Sequence, residues 1–339
     1  MNRATPKISV VIPARNEERW IGLCLSALHA GTTPRSEYEV ILVDNGSTDQ
    51  TVEIARPLVD QIIDLAGVNV SQMRNAAVAE ARGEVLAFLD ADCIPTPDWL
   101  ETGLKSLGDE NCITGASYVL PENPAPVESL LVSLEAKPTS KEKAKFVPAG
   151  NFFIHKAFFN EIGQFDSSLE AGEDKELCAR ASRSGAVYHD PAIIVAHEGN
   201  PKTFHGLFRR ELWHGRGILR TVKKNPADKL VIATFLFGIG LLLTIIGALL
   251  SIFFVLPGAL LALAGIGCLA SVLTLSLVNC RKQLRGPVHA FQALEFYVVY
   301  FMGRTGALIG AIFSVPYYHN LTSMVRSADD APAATTEQV

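Results

Sequence analysis

The chain has 339 residues, a formal charge of −5 and 48% hydrophobic residues, enough for one large domain or two small ones. The slight acidic excess gives no footing for nucleic acid, which is held by clustered basic side chains. The six cysteines, at 24, 93, 112, 178, 268 and 280, show no metal-like spacing and no disulfide framework, as expected of a reducing compartment.

From residue 7 to about 110, strand and helix signals alternate in the pattern of an α/β domain with a covered, mostly parallel sheet. Residues 8–12 read as a strand ended by Pro13. Residues 17–30 read as a helix with Trp20, Leu23, Ala27 and Leu28 at helical spacing. Residues 39–43 form a second strand closed by Asp44-Asn45-Gly46-Ser47. Thr48 or Asp49 then caps a helix over 50–58. A short strand over 61–65 precedes a helix over 70–82, stopped by Gly83. Residues 84–89 form an apolar strand that ends in Asp90-Ala91-Asp92, and the helix over 98–107 follows, with Pro97 at its start.

Beyond residue 110 the pattern is less regular. We expect strands over 113–120 and 146–155, the latter containing Gly150, with loop plus helix over 121–145. Helices over 157–162 and 175–184 and short strands over 186–188 and 193–197 complete the domain. Residues 204–224 read as a basic, aromatic-bearing helical segment.

No Asp, Glu, Lys or Arg occurs from Leu230 to Cys280. A membrane span takes about 20 apolar residues, so this run holds two, over 231–256 and 259–278, with Pro257-Gly258 at the hairpin turn. Lys223, Lys224 and Lys229 precede the pair, and Arg281, Lys282 and Arg285 follow it. Basic flanks stay cytoplasmic, which places everything before residue 229 inside the cell. The strand-like N-terminus is not a signal peptide. The expected organisation is a cytosolic domain over 1–225, a transmembrane hairpin over 226–285, a third membrane or interfacial helix over 286–318, and a disordered tail over 319–339. Residues 288–314 are long enough to span, yet carry His289, Glu295 and Arg304. Glu295 and Arg304 fall about 180° apart on a helix, so a third span and a surface helix both remain open.

Two acidic clusters carry the chemistry. A strand ending in Asp90-Ala91-Asp92 delivers two carboxylates to the lip of a sheet, where their oxygens suit a hard divalent cation that also grips a diphosphate. Gly172-Glu173-Asp174 opens a helix, and Asp174 is placed to act as general base on an incoming hydroxyl. Cation, diphosphate and base together describe sugar transfer from a nucleotide-sugar. Nucleotides bind beyond the carboxyl ends of parallel strands. There Pro13, Arg15 and Glu17, in Val11-Ile12-Pro13-Ala14-Arg15-Asn16-Glu17, and Asp44 are candidates for holding the nucleoside. Arg209, Arg210, Trp213 and Arg216 form a cationic segment suited to a diphosphate or an anionic lipid.

In their order, the motifs at 11–17, 43–49, Asp90-Ala91-Asp92, Gly150-Asn151, Gly172-Glu173-Asp174 and His197 resemble the family 2 glycosyltransferases of GT-A fold, membrane-anchored bacterial type. The resemblance covers residues 8 to about 217. It implies a metal, Mg²⁺ or Mn²⁺, held by Asp92 with Asp90 and His197, and a donor contacted by Asp90, Gly150 and Asn151. It further implies Asp174 as catalytic base, Glu173 orienting the acceptor or the base, and inversion at the anomeric carbon. Arg209-Arg210-Glu211-Leu212-Trp213 lacks the Gln-x-x-Arg-Trp of processive members, which argues against polymer synthesis.

The expected protein is therefore an inner-membrane hexosyltransferase with its catalytic domain facing the cytoplasm. It takes sugar from a UDP- or GDP-sugar to a lipid-linked or cell-envelope glycan acceptor, alone, as a homo-oligomer or within a synthase complex. The alternatives are a polyprenyl-phosphate sugar synthase, whose acceptor is already anionic, and a catalytically silent nucleotide-sugar-binding scaffold.

Overall fold

A computed structural model describes residues 5–134, 138–169, 171–215, 218–219, 222 and 227–312. The expected tail over 319–339, the end of the third helix over 313–318, and the donor-binding candidate Arg216 lie outside the described residues. The chain divides into two units, Met1–Asn123 with Lys137–Asn200, and Pro124–Ala136 with Pro201–Val339.

The first unit is built on β1 (Ile8–Ala14), α1 (Ile21–His29), β2 (Tyr38–Asp44), α2 (Thr51–Ala55), β3 (Gln61–Asp64), α3 (Val70–Glu80), β4 (Val85–Leu89), β5 (Cys93–Pro95), α4 (Trp99–Leu107) and β6 (Cys112–Gly115). After α5 (Pro126–Ser133), which belongs to the second unit, come β7 (Glu142–Lys143), β8 (Asn151–His155), α6 (Lys156–Glu161), α7 (Glu173–Ser184), β9 (Ala186–His189) and β10 (Val195–His197). The main sheet runs β3-β2-β1-β4-β8-β6-β9-β7, and β5 pairs separately with β10. Strands β3, β2, β1 and β4 are parallel, β8 runs antiparallel between β4 and β6, and β6 pairs parallel with β9.

The central strands are buried on both faces, which is why they read as unbroken apolar runs. Side chains alternate between the faces. Ile8, Val10, Ile12, Leu42, Leu89 and Phe153 pack with Cys24 and Leu25 of α1 and Trp99 and Leu100 of α4. Val11, Ile41, Val43, Phe88, Phe152 and Ile154 pack on the other side with Met73 and Ala77 of α3, Phe158 and Phe159 of α6, and Leu177 of α7.

Pro13 does not end β1, because its pairing with β2 continues to Ala14↔Asp44. The pairing with β4 stops at Val11↔Phe88, so Pro13 has no β4 partner for its missing N–H to fail. The strand expected over 146–155 is only its second half. Gly150 lies in a turn just before β8, and Asn151 is the first residue of that strand.

The second unit contains α5, α8 (Phe204–His214), α9 (Lys229–Leu250), α10 (Val255–Asn279) and α11 (Pro287–Ile312). Helices α9 and α10 are both long and apolar enough to cross a membrane. Their turn falls at Ser251–Phe254, not at Pro257-Gly258. Pro257 sits in the first turn of α10, where its absent N–H is not needed. Gly258 lies against α9, where an added Cβ would come 2.2 Å from the Ser251 nitrogen. Gly247 and Gly265 make equally close approaches, 2.3 Å from the Ala262 nitrogen and 2.5 Å from the Thr244 nitrogen. Small residues thus draw the two backbones together.

Helix α11 packs on α9 through stacked Phe237 and Phe301 rings 5.5 Å apart. It packs on α8 where Arg304 Nε donates to the buried Glu211 Oε2 at 2.8 Å. A Cβ on Gly303 would lie 2.6 Å from the Phe208 carbonyl oxygen.

Candidate active site

The site is built at the carboxyl ends of β1, β2 and β4, at the start of α7, and on the β5–β10 ribbon. Apolar β4 carries the chain to Asp90, whose N–H donates to the Gly150 carbonyl at 3.4 Å. Asp90 Oδ1 accepts from Arg74 Nη2 at 2.8 Å and Oδ2 from the Tyr118 hydroxyl at 3.4 Å. The other terminal nitrogen of Arg74, Nη1, donates to Glu173 Oε1 at 2.8 Å. One buried guanidinium on α3 therefore joins the end of β4 to the start of α7. The acids on either side raise the Arg74 pKa further, even though burial opposes them.

Gly172, with φ 78°, turns the chain into α7. Glu173, Asp174 and Glu176 fall in that helix's first turn, where its dipole favours acids. Burial and the adjacent Glu173 raise the Asp174 pKa from 3.8 to about 6, against the opposing pull of the Lys175 N–H, Arg74 and the Lys175 ammonium. That N–H donates to Asp174 Oδ1 at 2.7 Å.

Asp92 faces a second partner. Its Oδ2 lies 3.3 Å from His197 Nε2, and the His197 ring stacks on Tyr118 at 4.5 Å. Burial would lower the His197 pKa, but Asp92 and Asp90 lift it to about 9. His197 Nδ1 is buried with no hydrogen-bond partner. A Cβ on Gly199 would stand 1.9 Å from Asp92 Oδ2, so only glycine leaves that carboxylate its position. The donor atoms of Asp92, Cys93 and His197 all lie within 4.8 Å of one another. A carboxylate, an imidazole and a thiol this close fit a divalent cation. Asp90, expected to share the metal, is directed instead at Arg74 and Tyr118.

Gly150 and Asn151 part company. A Cβ on Gly150 would come within 2.2 Å of Asp90 Oδ2 and 2.3 Å of the Tyr118 hydroxyl, so this glycine sits against the site. Asn151 is fully buried and its amide is spent inside the protein. Its Oδ1 accepts from Trp99 Nε1 at 2.8 Å, and its Nδ2 donates to the carbonyls of Ala116 at 3.2 Å and Ile193 at 3.1 Å. It braces the floor of the site and does not present its side chain to a donor.

The nucleoside candidates occupy two loops that are tied together. Asn16, in the left-handed region at φ 55°, donates from its N–H to Ser47 Oγ at 2.9 Å and accepts the Thr48 N–H at 2.8 Å. The Glu17 N–H donates to Thr51 Oγ1 at 2.7 Å. Asp44 is buried, and both of its oxygens accept from Ser47, at 2.9 and 2.5 Å, as a turn cap does. Asp49 accepts the Thr51 N–H at 3.0 Å at the head of α2. Arg15 is exposed and Pro13 half-buried beside these loops.

Arg74, Tyr118, Cys93 and Gly199 are site residues that the sequence reading misses. For Arg74 the available signal is its place beside Met73, Ala77 and Val78, on the face of α3 that packs on the sheet. For Cys93 it is adjacency to Asp92.

The model of the glycosyl transferase family 2 matches residues 9–163. The glycosyltransferase AglE of Haloferax volcanii is 30% identical over 231 residues, covering 64% of this chain and 74% of that protein. The pre-mycofactocin glycosyltransferase of Mycobacterium tuberculosis is 29% identical over 224 residues, covering 61% of this chain but only 46% of its own length. Among solved structures, the mannosyltransferase PcManGT of Pyrobaculum calidifontis superposes with a TM-score of 0.52 at 18% identity, covering 95% of this chain and 85% of that one. That likeness is one of fold. With the strand-end acids, the acid-headed helix and this sheet order in place, the chain belongs to the family 2 glycosyltransferases.

Proposed function

We propose that this glycosyltransferase moves a sugar from a UDP- or GDP-sugar to a hydroxyl of a lipid-linked or cell-envelope glycan acceptor, with inversion and with Mg²⁺ or Mn²⁺. One observation carries the reading: Arg74 bonds Asp90 and Glu173 at 2.8 Å each, which ties the strand-end acid Asp90 to the head of α7, where Asp174 stands. Asp92 and His197 are the residues that would hold the cation, which would supply charge neutralisation for the departing diphosphate. PcManGT was solved with GDP-Man and Mn²⁺, and Asp92 and His197 would suit such a cation.

Asp174 accepts the proton of the acceptor hydroxyl as that oxygen bonds to the anomeric carbon. The bond from that carbon to the diphosphate oxygen breaks on the opposite face, and the nucleoside diphosphate leaves. Arg74 and Glu173 keep Asp174 at the head of α7, and Gly150 keeps the floor of the cleft low beside Asp90. The same chain continues into α9 and α10, which we read as a membrane anchor with the catalytic unit on the cytoplasmic side.

The test is a panel of nucleotide-sugars offered to the detergent-purified full chain with Mn²⁺ or EDTA, reading release of nucleotide. The reading expects release from one donor, abolished by EDTA. In Asp92→Ala, release should fall at least about a thousandfold, matching the several kcal/mol that a bound cation supplies, while the fold is retained. No release from any donor, even with membrane lipid added, would move the weight to a silent binding protein. Asp174→Asn with nearly full activity would point to a phosphate acceptor, as in a polyprenyl-phosphate sugar synthase.

A further inference from the structure

The proposed transfer step gives Cys93 no role, yet its sulfur lies with Asp92 and His197 at the site. The reason is the β5–β10 ribbon. In its antiparallel register Cys93 stands directly opposite His197, Ile94 opposite Ala196 and Pro95 opposite Val195. Directly opposed residues send their side chains to the same face of a ribbon, so thiol and imidazole are cross-strand neighbours. Asp92 precedes Cys93 and reaches His197 Nε2 at 3.3 Å.

We propose that Asp92, Cys93 and His197 form a three-donor site for a thiophilic divalent cation of the Zn²⁺ class. The inference rests on the reading of Asp92 and His197 as metal ligands and goes beyond it by adding a sulfur. Mg²⁺ and Mn²⁺ favour oxygen donors, whereas thiolate with imidazole selects Zn²⁺ and its analogues.

The dimensions agree. Zinc bonds of about 2.0–2.3 Å in a tetrahedron place neighbouring donors roughly 3.3–3.6 Å apart. The Asp92–His197 pair is already at 3.3 Å. All three donor atoms lie within 4.8 Å, so the sulfur has at most about 1.5 Å to close. His197 presents Nε2 toward Asp92, and the stack on Tyr118 fixes the plane of its ring. Cys93 itself is fully buried, so a cation reaches it from the Asp92 and His197 side. Binding exchanges the thiol proton for the metal, and the proton passes to buffer. Three protein donors leave a fourth position open. Such an ion occupies the place proposed for Mn²⁺ with a different coordination, so it competes with Mn²⁺.

The test uses Co²⁺, a visible analogue of Zn²⁺, added to the reduced full-length protein in detergent without any sugar donor. The expected result is a near-ultraviolet sulfur-to-cobalt charge-transfer band that Zn²⁺ abolishes by displacement. The band is lost in Cys93→Ser and kept in Cys24→Ser, the neighbouring buried thiol. Zn²⁺ affinity by calorimetry should fall at least about tenfold in Cys93→Ser. Should that variant unfold, the X-ray absorption spectrum of Zn²⁺ bound to the parent gives the same answer, showing a zinc–sulfur bond of about 2.3 Å. Co²⁺ binding without the band, equal bands in parent and Cys93→Ser, no zinc–sulfur bond in the parent, or no Co²⁺ binding at all would each overturn the proposal. Mn²⁺-dependent nucleotide release alongside any of these would leave the transferase reading intact.

Discussion

At the scale of single residues, the proposed mechanism turns on one carboxyl whose pKa is raised toward neutrality. Burial and Glu173 put Asp174 at about 6 rather than 3.8. A general base works only when ionised, so kcat/KM should rise about tenfold per pH unit below 6 and level off above it. Glu173→Gln removes the like charge and frees Arg74 to face Asp174, so the inflection should move to lower pH. Arg74→Gln removes the cation and should move it to higher pH. Opposite shifts from two neighbouring substitutions would separate charge from general disruption of the cleft. The stability sign follows from the same numbers. Between about pH 4 and 6 the folded chain holds a proton here that the unfolded chain has lost, so this group's contribution falls as pH rises. Asp174→Asn should therefore melt no lower than the parent at pH 7 while losing turnover, and melting curves beside the pH profile check both. Asp90, Asp92 and Asp174 are legible because a strand end and a helix start announce them. Arg74 is not, since its partner Glu173 lies 99 positions away and only the folded sheet brings them together.

At the scale of elements, two glycines with equally tight surroundings should behave differently. A Cβ at Gly150 would meet the tips of Asp90 and Tyr118 at 2.2 and 2.3 Å. Those tips can swing aside, so Gly150→Ala should fold with little loss of stability and lose most activity as Asp90 leaves its place. A Cβ at Gly103 of α4 would meet the Phe153 ring at 2.2 Å. That ring is buried in the sheet and cannot yield, so Gly103→Ala should cost about 1–3 kcal/mol of stability with kcat little changed once folded. Denaturant melts paired with turnover distinguish the two. The long elements of the first unit were readable because apolar runs and helical spacing repeat over several residues. β5 and β7 were not, because three and two residues carry no period. Missing β5 also hid Cys93, whose neighbour across the ribbon is 104 positions on (197 − 93). The α9–α10 turn differs from the expected Pro257-Gly258 because Pro-Gly reads as a turn in isolation, whereas here it lies at a helix start.

At the scale of the whole molecule, the question is what covers α9 and α10. Only 28% and 17% of their most apolar stretches are buried within the protein, whereas a helix from a soluble core hides most of its surface. Leu242, Leu249, Phe253 and Leu263 stand more than half exposed. Water does not tolerate a continuous apolar surface of this kind, and a bilayer does. Their lengths of 22 and 25 residues exceed the roughly 20 needed to cross the hydrocarbon. The chain should therefore stay with membranes through high salt and alkaline carbonate and leave only with detergent. Sidedness follows from the flanks. With Lys229 before the pair and Arg281, Lys282 and Arg285 after it, both ends should stay cytoplasmic and the Ser251–Phe254 turn should cross. An export-dependent reporter fused after Leu250 should be active, and the same reporter fused after Arg285 silent. Silence at both points, with release by carbonate, would mean that the pair lies along the membrane surface. Activity at both would mean that α10 fails to return, leaving Arg281, Lys282 and Arg285 on the far side against their charge.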